Sequence, residues 1–228
     1  MSIQHRLLAI LKEFMAKISN HEIEVYNEFS LQHELGIFLR KSLETEDEEY
    51  KIQFERNIGY FFNLELLKGS KVDMITQHFG NNKTRKKEID ICIFQDKGVN
   101  QKKLVAAIEL KFPRNGAIPE SMYSFVKDLK FLESLTANNN DLLSQNSFAK
   151  GYFICLVDDK GFYSGSKRDQ IYSYFRNEDF KVKIDTVTNK PTGENKDKSE
   201  YKILLNKKYT GNWKECKENL KYLLIEVD

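Results

Sequence analysis

The chain has 228 residues, with 40% hydrophobic and 31% charged, a balance that suits a globular fold with a substantial core. No apolar run approaches the roughly 20 residues of a membrane span, and Met1–Arg6 does not begin a signal peptide, which leads to the expectation of a cytoplasmic protein with no membrane partner. A net charge of +2 is uninformative in sum, but residues 83–114 carry nine basic side chains against four acidic ones, with Lys87 and Arg114 among the basic. Cys92, Cys155 and Cys216 are far apart, with no C-x-x-C pair and no Cys/His cluster, so a structural zinc site is not expected.

In chain order, Ile3, Leu7, Leu11, Phe14, Met15 and Ile18 make the stripe of an amphipathic helix. A second helix is expected from an N-cap at Ser30 to about Ser42, followed by an acidic loop over 44–49. Tyr50, Ile52 and Phe54 alternate with polar residues, as in a strand with one wet face. Residues 57–80 fit strand or helix equally, and Gly80-Asn81-Asn82 reads as a turn. Two apolar runs, Glu88–Phe94 and Leu104–Phe112, suit central strands covered on both faces. A helix opening at Pro119 carries the stripe Met122, Phe125, Val126, Leu129, Leu132 and Leu135, and stops at 138–141. The next strand, Tyr152–Val157, completes a βαβ unit and implies a parallel pair. Beyond it the pattern gives a short helix over 167–176, a strand over 180–187, a polar hairpin loop over 188–199, and late strands at 201–205 and 222–227. A single domain over 1–228 is the reading, with a core at about 28–158 and a C-terminal elaboration at about 166–228.

The informative positions are charges where burial is expected. Asp90 shares a strand face with Cys92 and Phe94. On the other strand, Leu104, Ala106, Ile108, Leu110 and Phe112 take one face, and Val105, Ala107, Glu109 and Lys111 the other. A carboxylate among apolar neighbours costs several kcal/mol (roughly) unless a charge meets it. If the strands pair, two carboxylates and an ammonium converge at one sheet end, and neighbouring carboxylates call for a cation. Glu34 borders the apolar stripe of the second helix and is a weaker third acid. Oxygen donors without cysteine or histidine suit a hard ion such as Mg²⁺. His5, His21, His33 and His78 show no ligand spacing, Ser164-Gly165-Ser166-Lys167 lacks the phosphate-binding loop frame, and the tyrosines and phenylalanines read as core.

Glu88-Ile89-Asp90, followed by Ile108-Glu109-Leu110-Lys111 and a helix, resembles the PD-(D/E)XK nuclease superfamily over about residues 28–158. Ile89 stands where the motif name has proline. The resemblance implies an α/β, restriction-endonuclease-like fold, a mixed central β-sheet flanked by helices. It also implies a Mg²⁺-dependent DNA nuclease of the restriction or defence kind in which Mn²⁺ can substitute, with RNA as the other substrate and a homodimer as one working form. Asp90 and Glu109 would bind the ion, the Leu110 carbonyl would complete its shell, and Lys111 would serve the attacking water. The upstream helix glutamate maps to Glu34. Tyr123, Lys127 and Lys130 on the following helix, with Lys87 and Arg114, are the DNA-contact candidates. Two alternatives stand beside this reading: an inactive nucleic-acid-binding module on the same fold, and a protein-interaction component whose charges form a structural ion-pair cluster. For the nuclease, removing Lys111 is expected to leave folding intact or improve it without metal.

Overall fold

The computed structural model describes residues 3–44, 49–62, 88–98, 101–114, 117–136, 147–193 and 198–228. The turn at 80–82, Lys87, most of the acidic run at 44–49 and the helix stop at 138–141 lie outside them. Helices α1 (Ile3–Ser19) and α2 (Glu28–Leu43) precede strands β1 (Lys51–Asn57), β2 (Glu88–Asp96) and β3 (Lys102–Lys111). Helix α3 (Ile118–Thr136) leads to β4 (Lys150–Val157), and the short α4 (Tyr172–Phe175) follows. The C-terminal part contributes β5 (Lys181–Ile184), β6 (Val187–Thr188), β7 (Ile203–Leu204), β8 (Tyr209–Asn212), β9 (Lys214–Lys217) and β10 (Leu220–Val227).

Among the described residues the main sheet has six strands in the order β1-β2-β3-β4-β10-β9. Only β3 and β4, joined through α3, run parallel; the other neighbours are antiparallel. This is a mixed sheet flanked by helices, a generic α/β architecture. The C-terminal residues therefore extend the main sheet, because β10 pairs along the whole of β4. The pairs β5–β8 and β6–β7 stand apart from it.

Each sheet face has its own apolar layer. Leu7, Leu11, Phe14 and Ile18 of α1 and Leu31, Leu35 and Leu39 of α2 pack against Ile91, Ile93, Ile108, Leu110 and Ile154. Met122, Phe125, Val126, Leu129 and Leu132 of α3 cover Cys92, Phe94, Ala107, Phe153 and Cys155 on the other side. Strands covered on both faces read as continuous apolar runs, as β2 and β3 do. No described helix is long and apolar enough to cross a membrane.

Three local departures from the sequence reading have identifiable causes. Helix α2 starts at Glu28 because Asn27, not Ser30, is its N-cap: Asn27 Oδ1 accepts from the Ser30 N–H at 2.7 Å, and Ser30 Oγ accepts from the Asn27 N–H at 3.0 Å. In β3 the register with β2 shifts where Ile93 faces Ala106 and Phe94 faces Leu104, leaving Val105 as the extra residue. That bulge sends Leu104 to the α3 side and leaves both Val105 and Ala106 on the α1/α2 side, so strict alternation holds only from Ala106 onward. The helix expected over 167–176 is confined to Tyr172–Phe175.

Candidate functional site

The ladder between β2 and β3 has its last backbone rung at Ile91–Ile108, which sets Asp90 opposite Glu109 one residue further on. Side chains take over from the ladder there. Asp90 Oδ2 accepts the Leu110 N–H at 2.7 Å, and Gln32 Nε2 of α2 donates to the Asp90 carbonyl at 2.8 Å. Glu28 Oε2 accepts the Phe112 N–H at 3.0 Å. Buried backbone groups must find partners, and polar side chains at the sheet end supply them. Asp90 is buried and Glu109 fully so.

Lys111 closes the group. Its Nζ donates to the Leu110 carbonyl at 2.8 Å, and lies 3.2 Å from Asp128 Oδ2 and 3.6 Å from Glu28 Oε1. The Asp128 side chain is 5% exposed and that of Lys111 17%, whereas Glu28 is 46% exposed. The field of this cluster reaches the facing strand. Burial raises the pKa of Cys155, which pairs with Lys111 in register; Lys111 opposes that rise, and Glu28 and Asp128 add to it.

Two of these acids were not singled out in the sequence. Glu28 heads the buried stripe Leu31, Leu35, Leu39 at helical spacing, so a carboxylate at the start of an apolar stripe was the available signal. The late N-cap at Ser30 excluded it from the helix. Asp128 lies inside the apolar stretch Met122–Leu135 of α3 and is buried with it; an acid within such a stretch could have been flagged. Glu34, the helix acid chosen from sequence, is 37% exposed and has His33 Nδ1 at 3.6 Å; Glu28 is the α2 acid beside Lys111. Residue 34 lies six positions beyond residue 28, about 240° around the helix.

The basic and aromatic candidates are dispersed. Tyr123 is buried and its hydroxyl donates to the Tyr201 carbonyl; burial pushes its pKa up to about 12. Lys130 Nζ donates to Glu133 at 3.0 Å and to Asn206 at 3.3 Å, which ties α3 to the C-terminal part. Lys127 Nζ lies 5.0 Å from the Tyr123 ring centroid, and burial lowers its pKa. Arg114 is paired with Asp158 at 2.5 Å and is the most exposed of these four. Lys87 is outside the described residues.

As a donor set, Asp90, Glu109 and the Leu110 carbonyl supply only hard oxygens, which fits Mg²⁺ or Mn²⁺ in chemistry. Among the described residues no three His, Cys, Asp or Glu side chains form a ready metal cluster. Mg²⁺ commonly takes one or two carboxylates and completes its shell with water and substrate phosphate. The chain matches no family model, no curated protein and no solved structure with significance.

Proposed function

We propose that the chain is a Mg²⁺-dependent nuclease that hydrolyses phosphodiester bonds of nucleic acid, DNA first, in a reducing, cytoplasmic setting that suits its three free thiols. The observation that carries this reading is the β2–β3 register, which runs on to set Asp90 opposite Glu109 at the end of the ladder, with Asp90 bonded to the Leu110 N–H and Lys111 to the Leu110 carbonyl. A restriction-endonuclease-like fold is part of the proposal, supported by the sheet that sets the aspartate and the Glu-x-Lys triplet on adjacent strands before a crossover helix.

Asp90, Glu109 and the Leu110 carbonyl would hold the ion. When bound, a divalent ion lowers the pKa of a coordinated water and neutralises charge on phosphoryl oxygens. Lys111, flanked by carboxylates, acts as an ammonium: it donates hydrogen bonds to a water or to a phosphoryl oxygen as negative charge develops there. Asp128 and Glu28 position that ammonium. Gln32 fixes the backbone of Asp90 and so the direction of its carboxylate.

One observation favours a second reading, a structural ion-pair cluster: Lys111 already lies against the nearly buried Asp128. Cleavage of supercoiled plasmid, linear duplex and RNA with Mg²⁺, Mn²⁺ or EDTA separates the two. The nuclease predicts cutting that needs the metal and falls by a factor of at least about 100 in Asp90→Ala and in Lys111→Arg, each checked for folding. Cutting that survives both substitutions, or no cutting of any substrate, refutes it.

A further inference from the structure

Beside this site the protein exposes aromatic surface that its core does not use. Phe29 is 69% and Tyr26 68% exposed, the two largest exposures among the described large hydrophobic residues. Phe29 follows Glu28, whose carboxylate holds the Phe112 N–H and neighbours Lys111. Its ring is nearly parallel to that of His33 one helical turn later, with centroids 6.4 Å apart and planes 15° apart. The Glu28–Gln32 row of α2 turns toward the sheet end, and the Phe29–His33 row lies about 100° around the helix from it. Tyr26 sits in the approach to the N-cap, where its backbone N–H is fixed by Ser30 Oγ at 2.8 Å.

Helix α2 already has its packing face in Leu31, Leu35 and Leu39, so exposure of Phe29 serves no core contact. The remaining exposed large hydrophobics, Tyr60, Phe180, Val187 and Leu204, belong to other elements. Two aromatic side chains supply about 150–250 Å² each, well short of the roughly 800 Å² per partner of a stable protein interface. The exposed Phe29 ring with the nearly parallel His33 beside it matches a single heterocyclic base in size. We propose that Phe29 and His33, with Tyr26 exposed three residues before Phe29, form a nucleobase-stacking platform at the edge of the site, and that the substrate is a nucleic acid with an unpaired base near the phosphate to be cut. This deepens the nuclease reading and rests on it for the identity of the occupant.

The test is fluorescence and anisotropy of the full chain with a single-stranded oligonucleotide of about 12 nucleotides, a length that spans one strand-binding site. The oligonucleotide carries 2-aminopurine, and a matched one carries an abasic position instead; both are used in EDTA, then with Mg²⁺. Stacking predicts quenching of 2-aminopurine by the native chain. In Phe29→Ala the quenching is lost and affinity falls about fivefold or more, as expected for the loss of one base–aromatic stack. Binding of the abasic strand is the same in both proteins. No binding, no quenching, or an equal loss on the abasic strand overturns the platform. Quenching without cleavage leaves the platform standing and removes the nuclease. Cleavage lost in Asp90→Ala, with no quenching and no effect of Phe29→Ala, removes the platform and leaves the nuclease.

Discussion

Replacing Lys111 by methionine removes the cation from the sheet-end cluster while keeping most of the side-chain volume. One of its carboxylate partners, Asp128 at 3.2 Å, has a side chain only 5% exposed, so water replaces a lost cation there poorly. Breaking a fully buried pair from one side costs about 3–5 kcal/mol. The 17% exposure of Lys111 reduces that figure, while Glu28, nearly half exposed, adds little. The expected loss is about 2–3 kcal/mol, or a fall in Tm of roughly 5–10 °C for a chain of this size. This reverses the expectation that loss of Lys111 would be neutral or stabilising without metal, which took no account of Asp128. Thermal melts in EDTA would measure the loss, and a double-mutant cycle with Asp128→Asn would show whether the pair causes it. If the site takes the ion, Mg²⁺ should then stabilise the Lys111→Met protein by about 1.4 kcal/mol once the free ion is at ten times that protein's Kd, and the native protein by less. A Tm for Lys111→Met within 1 °C (roughly) of native in EDTA would refute the electrostatic argument.

Other consequences can be checked alongside. Glu133 accepts from the Asn206 N–H at 2.8 Å, from the Tyr209 hydroxyl at 3.0 Å and from Lys130 at 3.0 Å, all in a nearly buried setting. Glu133→Leu should cost about 3–5 kcal/mol by stranding those donors, read from urea unfolding. Burial raises the pKa of Tyr123 from 10.0 to about 12, and burial followed by Glu133 raises that of Tyr209. Each tyrosine keeps its proton longer folded than unfolded, so stability should be intact below pH 10, where unfolded tyrosine ionises, and fall above it. For Tyr123 the decline is complete near pH 12, which denaturant titrations from pH 8 to 12 would follow. Burial also pushes the Cys92 thiol up to about 12 and raises those of Cys155 and Cys216. Iodoacetamide at pH 8 should therefore leave all three unlabelled in the folded protein and label them in urea, as read by mass spectrometry.

Periodicity carried much of the architecture. The stripes of α1 and α3, the two apolar runs that became β2 and β3, and the strand–helix–strand order that gives the parallel β3–β4 pair are all local patterns. Charges inside apolar runs marked Asp90, Glu109 and Lys111, because burial makes an ionic side chain conspicuous wherever the surrounding pattern predicts it. The tertiary structure decided what the charges meet. A β-bulge at Val105 depends on the partner strand, so the face of Leu104 could not be read from alternation. The choice of Glu28 over Glu34 followed from a cap at Asn27 and from how α2 lies across the sheet. Asp128 comes to Lys111 only because α3 packs on the α3-facing side of β3, and Lys130 is drawn away to Glu133 and Asn206 by the C-terminal segment. Sequence by itself determined which residues are out of place in an apolar run; only packing between distant segments, which sets distance and thus Coulomb energy, decided their partners.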